Sequence, residues 1–399
     1  MRPLRGVRVL DLSRLLPGPF ATLVLADLGA QVDKIEDPGG GDYLRHVPPE
    51  VAGEAATFHL LNRGKRSAIL DLKKPGGRDA LRRLVGSYDV LFDQFRPGVL
   101  DRLGLGHAAL RAENPRLIVC ALTGYGQSGP LAQRAGHDLN YLARAGVLGA
   151  QGPAEGPPQP PGFQLADVSG GMWCVISILA ALRERDRSGE GALLDIAMTD
   201  SVLGFATASF GLVLAEALQG GAQGESAMPM GSGTEALTGG IAPYNTYLTK
   251  DGQAVALAAL EPKFWAAFCA GVGLAPDMTA LVPGPHQAAL KAELAEIFRG
   301  RTREEWVAFA STRDCCLEPV LHPREVAGDA HLAARDLFFN LPSARGATPQ
   351  MRTPVTPKGA DFSAPPRMGE HTRAILHEGG LTDEEIEALL RSGAARDAG

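Results

Sequence analysis

The stretch RVLDLSRLLPGPFATLVLADLGAQVDKIE, residues 8–36, decides the fold class. Two short apolar runs, RVLDL (8–12) and QVDKIE (31–36), enclose the helix-like segment FATLVLADLG (20–29). A strand, a helix and a second strand at this spacing predict a βαβ unit with parallel strands. The turn after the first run lacks GxGxxG, so the fingerprint of a nicotinamide-binding enzyme is missing.

The same alternation continues through the first half of the chain. Strand-like runs occur at 67–72, 90–95, 117–122 and 192–198, and helical patterns at 76–86, 100–113, 168–186 and 200–217. The strand-like runs are almost entirely apolar, as strands buried on both faces of a parallel sheet are. The sequence therefore predicts an α/β fold: a large Rossmann-like domain with a mostly parallel sheet covered by helices on both faces.

The composition changes in the second half. Segment 219–243 is rich in Gly and Met, which is typical of a linker. After it come a hairpin signal with Asp251-Gly252 in the turn and a helix with the capping box of Thr302 and Glu305. We therefore divide the chain into a large α/β domain (1–218), a linker (219–243), a smaller α+β domain (244–325) and a C-terminal segment that returns to the large domain (326–399).

The overall composition limits the classes of function. Of 399 residues, 45% are hydrophobic and 21% are charged, as in ordinary globular proteins. A net charge of −6 opposes a nucleic-acid role, because phosphate binding needs a concentrated basic face. The nine histidines show no metal-ligand spacing, and the five cysteines form no CxxC motif, which favours buried thiols in a reducing compartment. Without an evident signal peptide or membrane span, we expect a cytoplasmic protein that needs neither membrane nor metal.

Basic residues accumulate at the predicted strand ends and turns, where open α/β sheets bind their ligands. They are Lys34, Arg45, Arg63, Lys65, Arg66, Lys73, Arg96 and Arg102. Each one taken singly is more often a solvated surface charge. As a group they are suited to hold a phosphorylated or carboxylated small molecule.

Four other polar residues have a structural interpretation and a functional one. On local grounds His137 is a structural or surface histidine, and Asp138 is a cap for the helix that follows it. Asp167 stands where an N-cap of the helix from Val168 would be, and Glu261 is a carboxylate before Pro262 at a helix start. Composition and spacing leave both interpretations open.

An ordered set of motifs resembles the family III CoA-transferase (CaiB/BaiF) and α-methylacyl-CoA racemase superfamily. These motifs are residues 4–42, NRGKRSAILDLK (62–73), FDQFRPGVLDRLG (92–104), LTGYGQSGP (122–130), GHDLNYLARAGVLG (136–149), LADVSGGM (165–172), GGIAPYNTY (239–247), ALEPKF (259–264) and GEHT (369–372). The resemblance covers nearly the whole chain. It implies an acyl-CoA thioester as substrate, no separate cofactor, and an interlocked homodimer in which the small domain of one chain closes on the large domain of the other.

The resemblance also implies catalytic roles. His137 and Asp167 match the two bases of the racemases, and Glu261 is similar to the carboxylate that partners the histidine. Inversion beside a thioester suits two bases, since one removes the α-proton and the other returns a proton to the opposite face. The transferases of the family instead use the aspartate at the position of Asp167 as a nucleophile, and histidine is not their usual residue in the stretch equivalent to 136–141.

His137 therefore favours a 2-methylacyl-CoA racemase. A CoA transferase that works through an Asp167 acyl-enzyme is the alternative, and a CoA-binding relative without catalysis is a third possibility. Backbone N–H groups at the start of the helix that carries Asp167 are expected to stabilise the enolate oxygen. Gly170 and Gly171 are expected to let the substrate approach closely, and 150–162 and 227–230 to line the acyl group.

The remaining predicted binding residues follow from the same resemblance. Those similar to the family's CoA and substrate contacts are Leu70, Asp71, Leu72, Lys73, Arg96, Arg102, Gly136, Asp138, Leu139, Asn140 and Tyr141. One departure is Asp37, where racemases of the family often have arginine. A carboxylate cannot bind a phosphate, so either Lys34, Arg45 or Lys65 substitutes for that arginine or this chain binds CoA more weakly than those racemases do.

Overall fold

A computed structural model of the chain describes residues 2–218, 231 and 233–398. Most of the predicted linker, and with it the Met-containing stretch 227–230 that was expected to line the acyl group, lies outside the described residues. The described chain forms two compact units.

The first unit comprises Met1–Tyr141, Gln164–Phe205 and Ala330–Gly399, and the second comprises Leu142–Phe163 and Ala206–Asp329. The C-terminal segment belongs to the first unit. Segments 142–163 and 206–218, which the sequence assigns to the large domain, belong to the second unit instead.

Strands and helices alternate along the first unit and are mixed in the second. The strands are β1 (Arg8–Asp11), β2 (Gln31–Glu36), β3 (Glu50–Val51), β4 (Glu54–Ala55), β5 (Lys65–Leu70), β6 (Val90–Asp93), β7 (Ile118–Thr123), β8 (Leu193–Ala197), β9 (Tyr244–Leu248), β10 (Ala254–Ala258), β11 (Leu317–Pro319), β12 (Phe338–Leu341), β13 (Thr348–Met351) and β14 (Ala395–Arg396). The helices are α1 (Pro17–Asp27), α2 (Ala56–Asn62), α3 (Pro75–Val85), α4 (Val99–Arg102), α5 (His107–Glu113), α6 (Asp138–Arg144), α7 (Leu165–Ser188), α8 (Met198–Phe205), α9 (Thr207–Leu218), α10 (Pro262–Val272), α11 (Gln287–Arg299), α12 (Arg303–Ala310), α13 (Ala330–Ala334), α14 (Thr372–Glu378) and α15 (Asp383–Ser392).

The first unit is built on a seven-stranded sheet in the order β14-β5-β2-β1-β6-β7-β8. All of its neighbouring strands are parallel except the edge pair of β14 and β5. The parallel strands β1, β6 and β7 are nearly fully buried, as their apolar sequences require. The predicted α/β class with a parallel, Rossmann-like sheet is confirmed.

The strand order places a topological switch point between β1 and β6. From β1 the chain adds β2 and β5 on one side of the sheet, and then returns to add β6, β7 and β8 on the other side. The turns that follow β1 and β6 therefore run in opposite directions and leave a crevice at the carboxyl ends of these strands. Ligands of open α/β sheets bind in such crevices.

Helices α1 and α7 pack closely together on the sheet. Gly171 makes this possible, because a Cβ atom there would lie 2.7 Å from the carbonyl oxygen of Pro17. A Cβ atom added to Gly170 would likewise lie 2.7 Å from the Cγ atom of Met198. Both glycines are buried, so they serve helix packing, and the expectation that they give the substrate close access is wrong.

A buried ion pair ties α1 to the C-terminal part of the first unit. Arg63 donates to both carboxylate oxygens of Asp27, at 3.1 and 2.6 Å, and both side chains have no exposed surface. The same guanidinium donates to Gln350 Oε1 and Thr356 Oγ1, at 3.1 and 3.3 Å. Four acceptors for one guanidinium satisfy its fixed donor geometry, so Arg63 is a structural residue rather than a ligand contact.

The second unit has an antiparallel sheet in the order β11-β10-β9. The β9–β10 hairpin turns at Asp251-Gly252, where Gly252 has a φ of 72°, and this confirms the predicted hairpin. An aromatic core of Trp265, Phe268, Phe298, Trp306 and Phe309 packs under the sheet. The predicted capping box of Thr302 with Glu305 is present, and a second box, of Thr382 with Glu385, begins α15 in the first unit.

Helix α7 is long and apolar enough to cross a membrane by length and composition, with a mean hydropathy of 1.8. No membrane span was expected from the sequence. The helix packs against α1, α8, β7 and β8 within the first unit, which accounts for its apolar composition. A core helix of an α/β fold passes the same test of length and composition.

Candidate functional site

A large cavity of the first unit, about 870 Å³, opens at the switch point. Its walls come from the turns after β1, β6 and β7, from the stretch 132–141 and from the start of α7. The predicted bases His137 and Asp167 both line it, together with Gly136, Tyr141 and Arg96. Two residues that are 30 positions apart in the sequence thus face one space.

A second cavity of about 270 Å³ lies at the carboxyl ends of β1, β2 and β5. Four residues predicted to contact CoA line it: Leu70, Leu72, Lys73 and Arg102. Arg14, Phe95 and Val99 line both cavities, so the two spaces adjoin along these three side chains. The arrangement suits a long ligand with a nucleotide at one end and a reacting group at the other.

A single carboxylate fixes the relation between the two predicted bases. Asp138, the residue after His137, begins α6, and its Oδ1 accepts hydrogen bonds from the backbone N–H groups of Ala166 and Asp167, at 2.7 and 3.0 Å. It therefore caps the N-terminus of α7. Asp138 does not cap the helix that follows it. Asn140 serves that helix, and its Oδ1 accepts from the His137 N–H at 3.0 Å.

Asp167 lies inside the first turn of α7, whose N-cap residue is Gln164. The prediction that Asp167 is the N-cap is wrong, because the helix starts three residues earlier than its apolar stretch indicates and the capping oxygen comes from another segment. The Asp167 side chain is left available to the cavity. Burial, with a smaller contribution from the negative charge of Asp138, raises its pKa to about 7. A carboxyl group with this pKa can both give and accept a proton near neutral pH.

The backbone donors at the start of α7 are partly occupied. The N–H groups of Ala166 and Asp167 are bound to Asp138, and the N–H of Val168 bonds to the carbonyl of Gln164 at 3.0 Å. The expectation that these N–H groups are available to an enolate oxygen does not hold for those three. The positive end of the α7 dipole remains beside Asp167.

Tyr141 forms the floor of the large cavity. Its ring is buried between Gly124 and Gly136, where added Cβ atoms would lie 2.4 and 2.7 Å from the ring. Its hydroxyl donates to the carbonyl of Gly136 at 2.5 Å, and the ring meets Tyr125 edge-on at a centroid distance of 5.1 Å. Burial first, and then the Asp167 charge, raise the pKa of Tyr141 to about 12, so its hydroxyl stays protonated.

The other predicted binding residues lie outside these two linings. Asp71 accepts from the Lys73 N–H at 3.0 Å and shapes the turn after β5, while Leu139 and Asn140 are exposed on α6. Glu261 belongs to the second unit, where it is the exposed N-cap residue of α10. Among the described residues, no group of three or more His, Cys, Asp or Glu side chains could hold a metal ion.

Lys34, Arg45 and Lys65 are engaged inside the protein. Lys34 lines the smaller cavity, but its ammonium pairs with Asp42 at 2.9 Å and donates to the carbonyl of Ser13 at 2.6 Å. Arg45 pairs with Glu36 at 2.6 Å. The Lys65 ammonium donates to three internal oxygens and, with no exposed surface, has its pKa lowered to about 7 by burial. The hypothesis that they replace an arginine at Asp37 is therefore not supported.

Several cavity residues were not identified from the sequence. Arg14 stacks on the Tyr43 ring at 4.6 Å and donates to its hydroxyl at 2.9 Å, at the junction of the two cavities. Gln94 and Phe95 follow β6, and Gln94 Oε1 accepts from the Gly18 N–H at 3.1 Å. Their positions in the sequence could have identified them, because Arg14 follows β1 and Gln94 and Phe95 follow β6, the two strands that flank the switch point.

Asp93 holds the turn after β6 in place. Its Oδ1 accepts from the Phe95 N–H at 2.8 Å, and its Oδ2 lies 2.7 Å from Nε2 of His107 on α5. The hydrogen bond to Asp93 raises the pKa of His107, since it favours the imidazolium, and the nearby Asp101 and Asp195 act in the same direction. The pair thereby fixes the wall that the two cavities share.

Substitution of Asp138 tests the link between the two predicted bases. In Asp138→Asn the negative charge is lost while an amide oxygen remains able to accept, so the Asp167 pKa should fall from about 7. Asp138→Ala should lower that pKa too and also lose the cap, which costs about 1 kcal/mol of folding stability. Carboxyl-carbon NMR titration and urea unfolding measure the two effects. An Asp167 pKa that is the same in both variants and in the native protein would contradict the assignment.

Comparison with known proteins gives concordant results. The model of the family described as CoA-transferase family III matches residues 4–372. The α-methylacyl-CoA racemases of Mus musculus and Homo sapiens are each 38% identical, over 97% of this chain and 96% of the relative. The succinyl-CoA:glutarate CoA-transferase of Mus musculus is 33% identical, over 98% of this chain and 90% of the relative. The crystal structure of a CAIB/BAIF family protein from Brucella suis matches with a TM-score of 0.79 and 33% identity, over 94% of this chain and 99% of that one.

Proposed function

Because the chain belongs to CoA-transferase family III, we propose that it is a 2-methylacyl-CoA racemase that interconverts 2R and 2S thioesters. One observation carries the proposal: His137 and Asp167 line the same cavity, and burial brings the carboxyl pKa into the range of an imidazole. A carboxyl group in this range can act as the acid toward one configuration of the substrate and as the base toward the other. The most similar of the relatives described above are racemases by name, which agrees with this assignment.

In the proposed reaction, the thioester lies between the two bases. For one configuration of the substrate, His137 removes the α-proton and Asp167 returns a proton to the opposite face. For the other configuration the two residues exchange roles. The enolate oxygen that forms in between is negative, and the positive end of α7 favours it electrostatically. Tyr141 keeps Gly136 in place through its hydroxyl, and thereby holds the backbone that carries His137.

The nucleotide end of the substrate is proposed to occupy the smaller cavity. Lys73 and Arg102 line it, and no carboxylate partner is recorded for either cation among the described residues. Racemases of the family often have an arginine at the position of Asp37, which is exposed in this chain. Arg14 lies where the two cavities adjoin, and among the described residues it is the one best placed to bind the nucleotide in place of that arginine.

The proposal is tested by α-hydrogen exchange. Purified protein is incubated in deuterated water with (2R)- or (2S)-2-methylacyl-CoA, and deuterium at C2 is followed by mass spectrometry. We expect deuterium incorporation together with formation of the opposite hand from either starting isomer. Absence of exchange with both isomers, at enzyme concentrations that bind CoA, would exclude the racemase.

A CoA transferase is the second candidate, since relatives 33% identical carry that name and Asp167 could serve as its nucleophile. That reaction passes through an anhydride and a CoA thioester on the aspartate. After incubation with acyl-CoA, hydroxylamine should convert such an intermediate into an Asp167 hydroxamate detectable by peptide mass. A racemase forms none, so the hydroxamate would decide for the transferase.

The proposal includes an interlocked homodimer. Apolar side chains on α7 and α8 are exposed in the single chain, with Ile176 at 45% and Phe205 at 55% of their full surface. A neighbouring copy would remove such surface from water. Light scattering should give twice the chain mass of 41.9 kDa, and a monomer at micromolar concentration would contradict the dimer.

A further inference from the structure

Arg134 is a cavity residue without an evident function. It lines the large cavity with His137 and Asp167, and its guanidinium is exposed. Three residues of extended chain span at most about 11 Å, so its Cα atom lies within that distance of the Cα atom of His137. The backbone that carries Arg134 is therefore close to the proposed base His137, and both side chains line the same cavity.

The segment that carries Arg134 is held in place. The Arg134 N–H donates to the carbonyl of Leu131 at 2.8 Å, and the amide of Gln133 donates to the carbonyl of Pro97 at 3.2 Å. The second contact joins the segment to the turn that carries Arg96 on the same cavity wall. In the part of the chain that the structure describes, neither arginine has a carboxylate within ion-pair distance.

The charge of the large cavity is therefore positive. Arg14, Arg96 and Arg134 line it, and Asp167 is the one carboxylate among the described residues of its lining, with a proton bound up to about neutral pH. The phosphates of CoA do not account for Arg134, because they are proposed to bind in the smaller cavity, which Lys73 and Arg102 line and Arg134 does not. Arg134 therefore offers an unpaired guanidinium to an anionic group of an acyl chain that enters the large cavity.

We propose that the acyl group carries a carboxylate of its own, so that the substrate class is the monothioester of a 2-methyl dicarboxylic acid, with Arg134 as the residue that binds the distal carboxylate. This inference rests on the proposed racemase function and narrows its substrate. A guanidinium presents paired donors that match a carboxylate, which a purely aliphatic or aryl acyl chain would leave unused.

The test compares two substrates of nearly the same shape: 2-methylglutaryl-CoA, with the thioester at C1, and its C5 methyl ester. Rates of deuterium incorporation at C2 are measured at low ionic strength, because salt screens an exposed pair. We expect the native protein to have a kcat/KM at least about tenfold higher for the free carboxylate than for the ester. Arg134→Gln should remove that preference, and Arg134→Lys should keep part of it. Arg144→Gln, which changes an exposed arginine outside the cavity lining, is the control and should retain the preference.

The outcomes separate this inference from the proposed function. Exchange of both substrates without preference for the carboxylate overturns the role of Arg134 and leaves the racemase standing. Exchange of neither glutaryl substrate, in a protein that exchanges a 2-methylacyl-CoA without a second carboxylate, overturns the inference and leaves the racemase standing, whereas exchange of no 2-methylacyl-CoA at all overturns the racemase itself. An equal loss for both substrates in Arg134→Gln would assign Arg134 a structural role and would also overturn the inference.

Discussion

Asp167→Asn and His137→Gln are each expected to slow interconversion of the 2R and 2S thioesters by roughly 10²–10⁴-fold. Each substitution keeps the size of the side chain and removes its ability to transfer a proton at neutral pH. The loss should fall mainly on kcat, because neither side chain is needed to hold the nucleotide. Chiral separation of the hydrolysed acids measures the rate. Asp186→Asn, at an exposed position on the same helix α7, is the control and should retain the native rate.

The same two variants distinguish a two-base mechanism from a single base. If each side chain serves one face, His137→Gln should retain α-deuteration of one hand only, and Asp167→Asn should retain it for the other hand only. Loss of the same hand in both variants would contradict the assignment. Retention of both hands in either variant would exclude that residue as a base.

The pH dependence follows from the number of protons that the two bases share. Turnover requires one proton on the pair, carried by His137 for one direction and by Asp167 for the other. The ratio of kcat/KM for the two directions equals the equilibrium constant between the two thioesters, which does not change with pH, so both directions must show the same bell-shaped dependence of kcat/KM on pH. Since the Asp167 pKa is raised to about 7, one limb of the bell should lie near that pH, as an apparent value of the pair. A profile that is flat from pH 5 to pH 9 would contradict a shared proton.

The largest stability effect is expected at the buried pair of Asp27 and Arg63. Asp27→Ala leaves a fully buried guanidinium without its carboxylate, which costs about 3–5 kcal/mol of unfolding free energy. Urea unfolding followed by circular dichroism measures it. The control is Glu113→Ala, which removes an exposed partner 3.8 Å from Arg82 and should cost less than about 1 kcal/mol. Similar losses in the two variants would show that burial does not set the strength of these pairs.

The sheet of the first unit could be predicted because its strands are short apolar runs. Parallel strands buried on both faces leave that pattern in the sequence. Strand β14 was missed, since two residues, Ala395 and Arg396, are too few to form a pattern. The segment 100–113, predicted as one helix, forms α4 and α5 because the chain turns at Gly104, which has a φ of 70°.

The candidate site was only partly predictable, because its contacts are not local. His137 and Asp167 were identified by resemblance, and the structure places both on one cavity. The cap of α7 was assigned to Asp167, because nothing in the local sequence shows that the carboxylate of Asp138, 28 residues before Ala166, occupies this position. In the same way, no local sequence pattern distinguishes Lys34 and Arg45, whose charges are paired inside the protein, from a cation such as Arg102, which lines a cavity without a carboxylate partner among the described residues. Their carboxylate partners Asp42 and Glu36 come into range only in the folded chain.

The hydrogen bonds from Ala166 and Asp167 to Asp138 also bear on how such a protein can evolve. Asp138 is the next residue after one proposed base, and it accepts a hydrogen bond from the backbone of the other, so the spacing of the two is set by a direct bond across the fold. The distance between the two bases therefore does not depend on the length of the 22-residue segment from Leu142 to Phe163. Insertions, deletions and changes of composition in this segment should accumulate with little effect on proton transfer. Related sequences are therefore free to diversify it while the pair of bases stays in register.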